Sequence, residues 1–302
     1  MFMALGTDQT LSAPSVVLTG ASSQIGIFAI PKLVDAGFRV FAVNRKGKPQ
    51  AMPNFESVEW LNEADALETT KDCECLLSAG PLELALKFLR VNDKINHVVA
   101  FSSSSVETKQ ESANPAERSQ IQNLLKFESE LLLTCENRRL NLTVFRPTLI
   151  YGCGMDTNIS RLASWINRFG FIPVNGKAAG LRQPVHAEDL ASVAITAMLC
   201  RDDLPQVLNL SGGDTLSYAD MVRKIFEALG KPVRLLHVPQ PLFVLLVNIA
   251  SNFKSMGGIN SEMVRRQRLD LVFEDQQARQ LLDYNPRPFA PVSKDFSLPE
   301  FE

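Results

Sequence analysis

The stretch Ser15-Val-Val-Leu-Thr-Gly-Ala-Ser-Ser-Gln-Ile-Gly26 decides the fold. Val16 to Thr19 read as a buried strand that Gly20 ends, and Ile25-Gly26 opens an apolar-periodic helix that stops at Asp35-Ala-Gly37. A strand, a tight glycine turn and a helix make an anion site. The helix N-terminus offers unpaired backbone N–H groups and the positive end of its dipole to a pyrophosphate. A second strand, Phe38-Arg-Val-Phe-Ala-Val43, follows at the spacing of one βαβ unit. This is a dinucleotide-binding start, and it points to NAD or NADP.

Working outward, strand-like runs alternate with helical ones through the first half. Strands are expected at 15–19, 39–43, 58–61, 75–78, 97–102 and 141–146, with crossover helices at 24–36, 82–91 and 115–136. Parallel strands need such crossovers, so the pattern implies an α/β fold with a doubly wound parallel sheet covered on both faces. From Tyr151 the pattern loosens: helices are expected at 161–169, 186–199 and 217–229, and a short strand at 207–211. Ser217 is a fitting N-cap and Gly230 a fitting stop. The expected organisation is a mobile tail over 1–14, a dinucleotide-binding domain over 15–150 and a smaller C-terminal substrate lobe over 151–302. Residues 186–200 are expected to return to the first domain.

The bulk composition narrows the function classes. The chain has 302 residues, and 31 Lys and Arg against 33 Asp and Glu give a net charge of −2. That balance carries no electrostatic footprint for nucleic acid. The five cysteines have no framework spacing and read as reduced thiols of a cytoplasmic protein. Alternation along a strand would put Cys73 and Cys75 on one face. The apolar run 242–250 is far shorter than the ~20 residues of a bilayer span and reads as a core helix in preference to a membrane-facing one. The three histidines are isolated, so no metal site is expected. Expected partners are a small-molecule substrate and, among proteins, a second copy of the chain in a homodimer.

Several motifs stand in order along the chain: Thr19-Gly-Ala-Ser-Ser-Gln-Ile-Gly26, Ser78-Ala-Gly80, Phe101-Ser-Ser-Ser-Ser105, Lys126 with Glu130, Arg146-Pro-Thr-Leu-Ile-Tyr-Gly152, and Arg182-Gln-Pro-Val-His-Ala-Glu-Asp189. From Ser15 to the C-terminus the sequence resembles the short-chain dehydrogenase/reductase superfamily, in its extended or atypical NAD(P)-dependent epimerase/dehydratase-like branch. The resemblance implies a Rossmann sheet. It also implies a cofactor contacted by Gly20, Ser22, Ser23, Gln24, Ile25, Gly26, Asn44, Arg45, Lys46, Ala79, Gly80, Ser102, Lys126, Pro147 and Thr148. The glycine loop lacks the middle glycine of the family patterns, and Ser23 or Gln24 fills its place depending on register. Either side chain has to turn away or bond a phosphate oxygen. No acid follows the second strand, where NAD-binding proteins hold the ribose hydroxyls. Arg45 stands there instead, with the fork geometry that grips a 2′-phosphate, so NADP is expected before NAD.

The family's chemistry resembles a Tyr-x-x-x-Lys pair beside a serine. Ser104 matches the serine and Lys126 the lysine, but Gln122 stands in the tyrosine's place, and a carboxamide neither gives nor recovers a proton. Among the three tyrosines, Tyr151 alone follows a strand at the crevice end. Lys126 itself or Lys109 are further proton sources. The resemblance also implies substrate contacts from Ser104, Asn158 and Arg182, the last to a phosphate. His186 and Asp189 read as structural, with Asp189 poised to cap a helix. Two functions follow. One is an NADP-binding epimerase, dehydratase or reductase acting on a nucleotide-sugar-like or carbonyl substrate. The other is a catalytically silent dinucleotide-binding protein that senses redox state or scaffolds a complex.

Overall fold

The structure is a computed structural model and describes residues 13–50, 52–200, 203–251 and 261–299. The expected tail therefore lies, but for Ala13 and Pro14, outside the described residues. In chain order the first half runs β1 (Ser15–Thr19), α1 (Gly26–Asp35), β2 (Arg39–Val43), β3 (Val58–Leu61), α2 (Glu63–Thr69), β4 (Cys75–Ser78), α3 (Leu82–Val91), β5 (His97–Phe101), α4 (Ser105–Thr108), α5 (Pro115–Arg138) and β6 (Asn141–Pro147). There follow β7 (Ile150–Tyr151), α6 (Ile159–Phe169), β8 (Ile172–Asn175), β9 (Leu181–Arg182), β10 (Val185–His186), α7 (Ala187–Leu199) and β11 (Val207–Leu210). The last are β12 (Leu216–Ser217), α8 (Tyr218–Ala228), β13 (Leu235–Val238), α9 (Gln240–Ser251), α10 (Ser261–Arg266) and α11 (Gln276–Leu282).

Seven strands form one all-parallel sheet in the order β11-β6-β5-β4-β1-β2-β3. This is the doubly wound α/β sheet the alternation implies. Winding reverses between β1 and β4, so a crevice opens at their carboxyl ends, where ligands meet such sheets. Strand alternation divides the core. Val16, Leu18, Val40 and Phe145 face α1 and α7, while Val17, Leu76, Val98 and Val144 face α3 and α5. Each fully buried aliphatic side chain contributes roughly 1.5–3 kcal/mol. Helix starts follow local chemistry. Asn114 accepts from the Ala116 and Glu117 N–H groups ahead of Pro115 at α5, and Ser217 accepts from Asp220 N–H at α8.

A separate core fills the second half, with Ile166, Val174, Val222, Phe226 and Phe289 at its centre. The segment after α11 touches both cores. Tyr284 is buried with the sheet and donates its O–H to Ser211 O at 2.7 Å, and Phe289 is fully buried in the second core.

Three expectations are corrected. His186, not Asp189, caps α7: its Nδ1 accepts from Glu188 N–H, and Asp189 is turned outward to Arg287. Cys73 and Cys75 belong to opposite faces, because β4 starts only at Cys75 and Asn92 holds the Cys73 carbonyl in the loop before it. At its described side chains the apolar run 242–250 joins neither core. Phe243 and Val247 pack in a small cluster apart from the two cores, and Leu242 and Leu245 are exposed. Among the described residues no helix is long and apolar enough to cross a membrane.

Candidate functional site

At the end of β1 the chain turns at Gly20, with φ of +70°. A Cβ there would lie 2.5 Å from Gly80 N, and one on Gly26 would lie 2.2 Å from Gly20 O. Only glycine lets β1, the loop after β4 and the first turn of α1 approach so closely. Ser23 turns its hydroxyl back to accept from Gly26 N–H at 3.1 Å, and its own N–H donates to Gly20 O. Among the described residues no acceptor meets the N–H groups of Ser22, Gln24 and Ile25. The Gln24 Oε1 is buried without a partner beside them. Free donors at the positive end of a helix suit an anion. Ala79 continues the β1–β4 ladder through its N–H to Thr19 O, next to the Thr19–Ser78 hydroxyl bond of 3.0 Å.

Across the crevice at the end of β2, the Asn44 side chain donates to Gly47 O and accepts from Lys46 N–H, which shapes the turn. Arg45 and Lys46 are exposed beside it, and among the described residues neither side chain has an acceptor. The residues that follow β2, Asn44-Arg45-Lys46, include no acid.

The ends of β5 and β6 hold a different arrangement. Ser102 donates to Glu128 of α5, and Arg146 of β6 forks onto the same carboxylate and onto Glu107 at 3.1 Å. Glu128 is 2% exposed. Burial works against the Arg146 guanidinium, but its bonds to Glu128 and Glu107 outweigh this and hold its pKa above the ordinary value. Ser104 is buried, with its N–H on Pro147 O. Thr148 is occupied too, its N–H on Leu210 O and its hydroxyl on Gln183 O.

Lys126 is not brought to Ser104. The inward face of α5 carries Ile121, Glu128, Leu131 and Cys135. Lys126 lies about 200° around the helix from Glu128, exposed, with its ammonium 5.7 Å from the Phe127 ring. Gln122 is exposed as well, and Glu130 pairs with Arg90 at 2.6 Å on the outer surface. Sequence reasoning missed Glu128 and Arg146. Their signal was present: one carboxylate in the apolar stripe of α5, and one guanidinium in a strand otherwise free of charge.

Tyr151 is 2% exposed and packs edge-on against His186 and Phe289. Burial, aided by the Asp295 carboxylate, pushes its phenol above the usual range. Asn158 is exposed before α6. Arg182 is 6% exposed; its guanidinium donates to Leu181 O, Leu269 O and Arg266 O at 2.5–2.8 Å and lies over the Tyr218 ring. Burial pulls its pKa down to about 10, so it stays charged at neutral pH. Nearby, Arg266 joins the two halves of the molecule by donating from both Nη atoms to Glu117, each at 2.8 Å.

No family model matches the sequence. Among curated proteins, the chain is 28% identical to the UDP-glucose 4-epimerase of Vibrio cholerae over 112 residues, 37% of this chain and 34% of that protein. It is 25% identical to the chloroplastic divinyl chlorophyllide a 8-vinyl-reductase of Arabidopsis thaliana over 283 residues, 80% of this chain and 65% of the relative. The chain thus spans less than two thirds of the length of either relative. Among solved structures it superposes on the Bacillus cereus UDP-glucuronic acid 4-epimerase, in complex with UDP-glucuronic acid and NAD, with a TM-score of 0.69. That match has 14% identity and covers 93% of this chain and 96% of the other. The Thermotoga maritima UDP-glucose 4-epimerase with UDP-glucose gives 0.66 at 14% identity, over 94% and 96%. The fold is the Rossmann-type α/β fold of these UDP-sugar epimerases. The likeness in fold extends over 93% of this chain.

Proposed function

We propose that this chain binds a nicotinamide dinucleotide at the carboxyl ends of β1 and β4, NADP in preference to NAD, and acts as an atypical reductase or epimerase/dehydratase on a nucleotide-sugar-like or other carbonyl substrate. The observation that carries the reading is the glycine loop, where among the described residues the N–H groups of Ser22, Gln24 and Ile25 have no acceptor, in a turn packed too closely for a Cβ at Gly20 or Gly26. Arg45, exposed and with no acid next to it in the sequence, supports the 2′-phosphate. The Bacillus cereus epimerase carries NAD beside a UDP-sugar in this fold, and the vinyl-reductase relative supports the reductase side.

When bound, the dinucleotide supplies the hydride. The residues of this chain bind and orient it. Gly20, Gly26 and Gly80 set the closeness of the loop, Ser22, Gln24 and Ile25 offer N–H groups, and Arg45 and Lys46 offer charge. Ser104 holds a hydroxyl at the end of β5, and Asn158 remains a substrate contact in this reading. The orientation of α5 favours a second reading. With Lys126 turned outward, Gln122 unable to titrate and Tyr151 packed in the core, a dinucleotide-binding protein without turnover fits the same fold.

Calorimetric titration with NADPH and NADH tests the cofactor statement. Tighter NADPH binding is expected, equal affinities refute the preference, and binding of neither refutes the reading. Oxidation of bound NADPH or interconversion of UDP-glucose would select the enzyme; a stable complex inert to both would select the silent protein.

A further inference from the structure

We infer that α9 and the neighbouring face of β13 form a docking surface for an anionic lipid bilayer, on which the chain lies without spanning it. The inference is independent of the cofactor reading.

The sequence of α9, Gln240-Pro-Leu-Phe-Val-Leu-Leu-Val-Asn-Ile-Ala-Ser251, carries no charge, and only Gln240, Asn248 and Ser251 are polar. A helix with so little polar surface needs cover on every side. Here one side has it. Phe243 and Val247 are buried with Val264 of α10, and Val238 of β13 packs against them. Leu242 and Leu245 lie on the other side, roughly 150° around the helix axis, and each is about half exposed. The patch continues on β13, where Leu236 shares a strand face with Val238 and is also about half exposed. Single exposed leucines are ordinary, but a group of them beside an uncharged helix marks a surface that meets something apolar.

The charges around the patch select the partner. Between Gly230 and Leu269 the one acid is Glu262, against Lys231, Arg234, Lys254, Arg265, Arg266 and Arg268, in a chain whose net charge is −2. Glu262 is buried and paired with Arg265 at 3.1 Å. Arg234 extends the β13 ladder, its carbonyl accepting from Ile172 N–H, so alternation puts it on the Leu236 face. It is exposed, and among the described residues its guanidinium has no acceptor. Arg268 donates to Gln240 Oε1 at 2.9 Å, which sets a second guanidinium beside the positive end of the α9 dipole. A cation in that place is unfavourable alone and favourable against an anion.

A second copy of the chain, meeting this face across a two-fold axis, would bring the same bases against each other. A protein partner would draw on aromatic anchors, whereas Leu236, Leu242 and Leu245 are aliphatic. Aliphatic side chains without directional groups, bordered by bases, match the boundary between acyl chains and headgroups of an anionic leaflet.

The test is flotation of the full chain with vesicles of phosphatidylcholine alone, and of phosphatidylcholine with a third of phosphatidylglycerol, at low and at physiological salt. Binding to the anionic vesicles is expected, weaker as salt rises, with little binding to the neutral ones. The double variant Leu242→Ser/Leu245→Ser should bind about tenfold or more weakly, and Arg234→Gln about fivefold. All three side chains are exposed, so each variant should keep the wild-type thermal midpoint. Leu245→Trp should gain emission that brominated lipid quenches, beyond that of the two native tryptophans. Folded wild type that binds neither kind of vesicle overturns the inference. Equal binding to neutral and anionic vesicles does so too, as does binding unchanged in the leucine variant. A dimer that the leucine variant abolishes, in protein that ignores vesicles, would give the face to a second copy and overturn it as well.

Discussion

A single guanidinium at the end of β2 bears the choice between the two nicotinamide cofactors. Arg45→Ala should weaken NADPH binding by about 1.5–3 kcal/mol, tenfold or more, and leave NADH binding unchanged, because only the 2′-phosphate loses a charged donor. Calorimetry on both cofactors checks it. Lys126 gives the opposite expectation. The resemblance puts it on the nicotinamide ribose, but its ammonium lies over Phe127 on the outer face of α5. Lys126→Ala should therefore leave NADPH affinity where it was, and a marked loss would show that α5 turns its other face to the cofactor. The motif's four-residue spacing from Lys126 to Glu130 told that the two share a helix face. It did not tell which way that face points, since spacing is blind to rotation of the helix about its axis.

At the level of elements, the glycine loop and the α5–β6 contact are the two places where one substitution should reach beyond itself. Gly26→Val drives a side chain into the Gly20 carbonyl, and overpacking of this kind costs about 1–3 kcal/mol. NADPH binding should be lost with it, and urea unfolding beside a cofactor titration separates the two effects. Glu128→Ala leaves Arg146 and Ser102 without their shared acceptor. A loss of about 3 kcal/mol is expected, at the low end for breaking a buried pair, because Arg146 keeps 20% exposure and its bond to Glu107. The strands β1 to β4 were legible residue for residue, since apolar runs bounded by glycine and polar turns leave little freedom. The helix α2 was not. Glu63–Thr69 buries Ala66 alone and so carries no apolar stripe, although the Asn62 side chain accepting from Asp65 N–H marks its start. The two-residue ladders β7–β10 and β9–β12 were beyond reach for another reason: their pairing is fixed by tertiary neighbours, not by any period within the segments.

Across the whole molecule, the Glu117–Arg266 bond ties α5 to α10 over a long stretch of sequence. The Arg266 bonds, opposed by burial and joined by Ser112, hold the Glu117 carboxyl down to about 2, against an ordinary 4.5. A carboxyl with a depressed folded-state pKa stabilises fully above its unfolded value, and that contribution is lost as pH falls through the folded one. The thermal midpoint of Glu117→Gln should therefore lie below that of wild type above about pH 4.5. The gap should close as pH falls towards about 2, and a gap independent of pH would show that the ion pair contributes nothing. The segment after α11 also ties the halves, Tyr284 packing with the sheet and Phe289 in the second core, and neither tie was visible in the sequence.

The double seating of Tyr284 and Phe289 also sets an order of events during synthesis. The six strands of the first half are complete at Pro147, but the sheet edge at β11 and α7 lacks Tyr284, and the second core lacks Phe289, until the last stretch of chain arrives. At about 5–20 residues per second, the roughly 140 residues in between take some 7–28 s to translate. For that interval the nascent chain displays apolar surface that the finished molecule hides. Its need for a chaperone should accordingly be greatest in the cell during translation, and should vanish once the last stretch has closed over both cores.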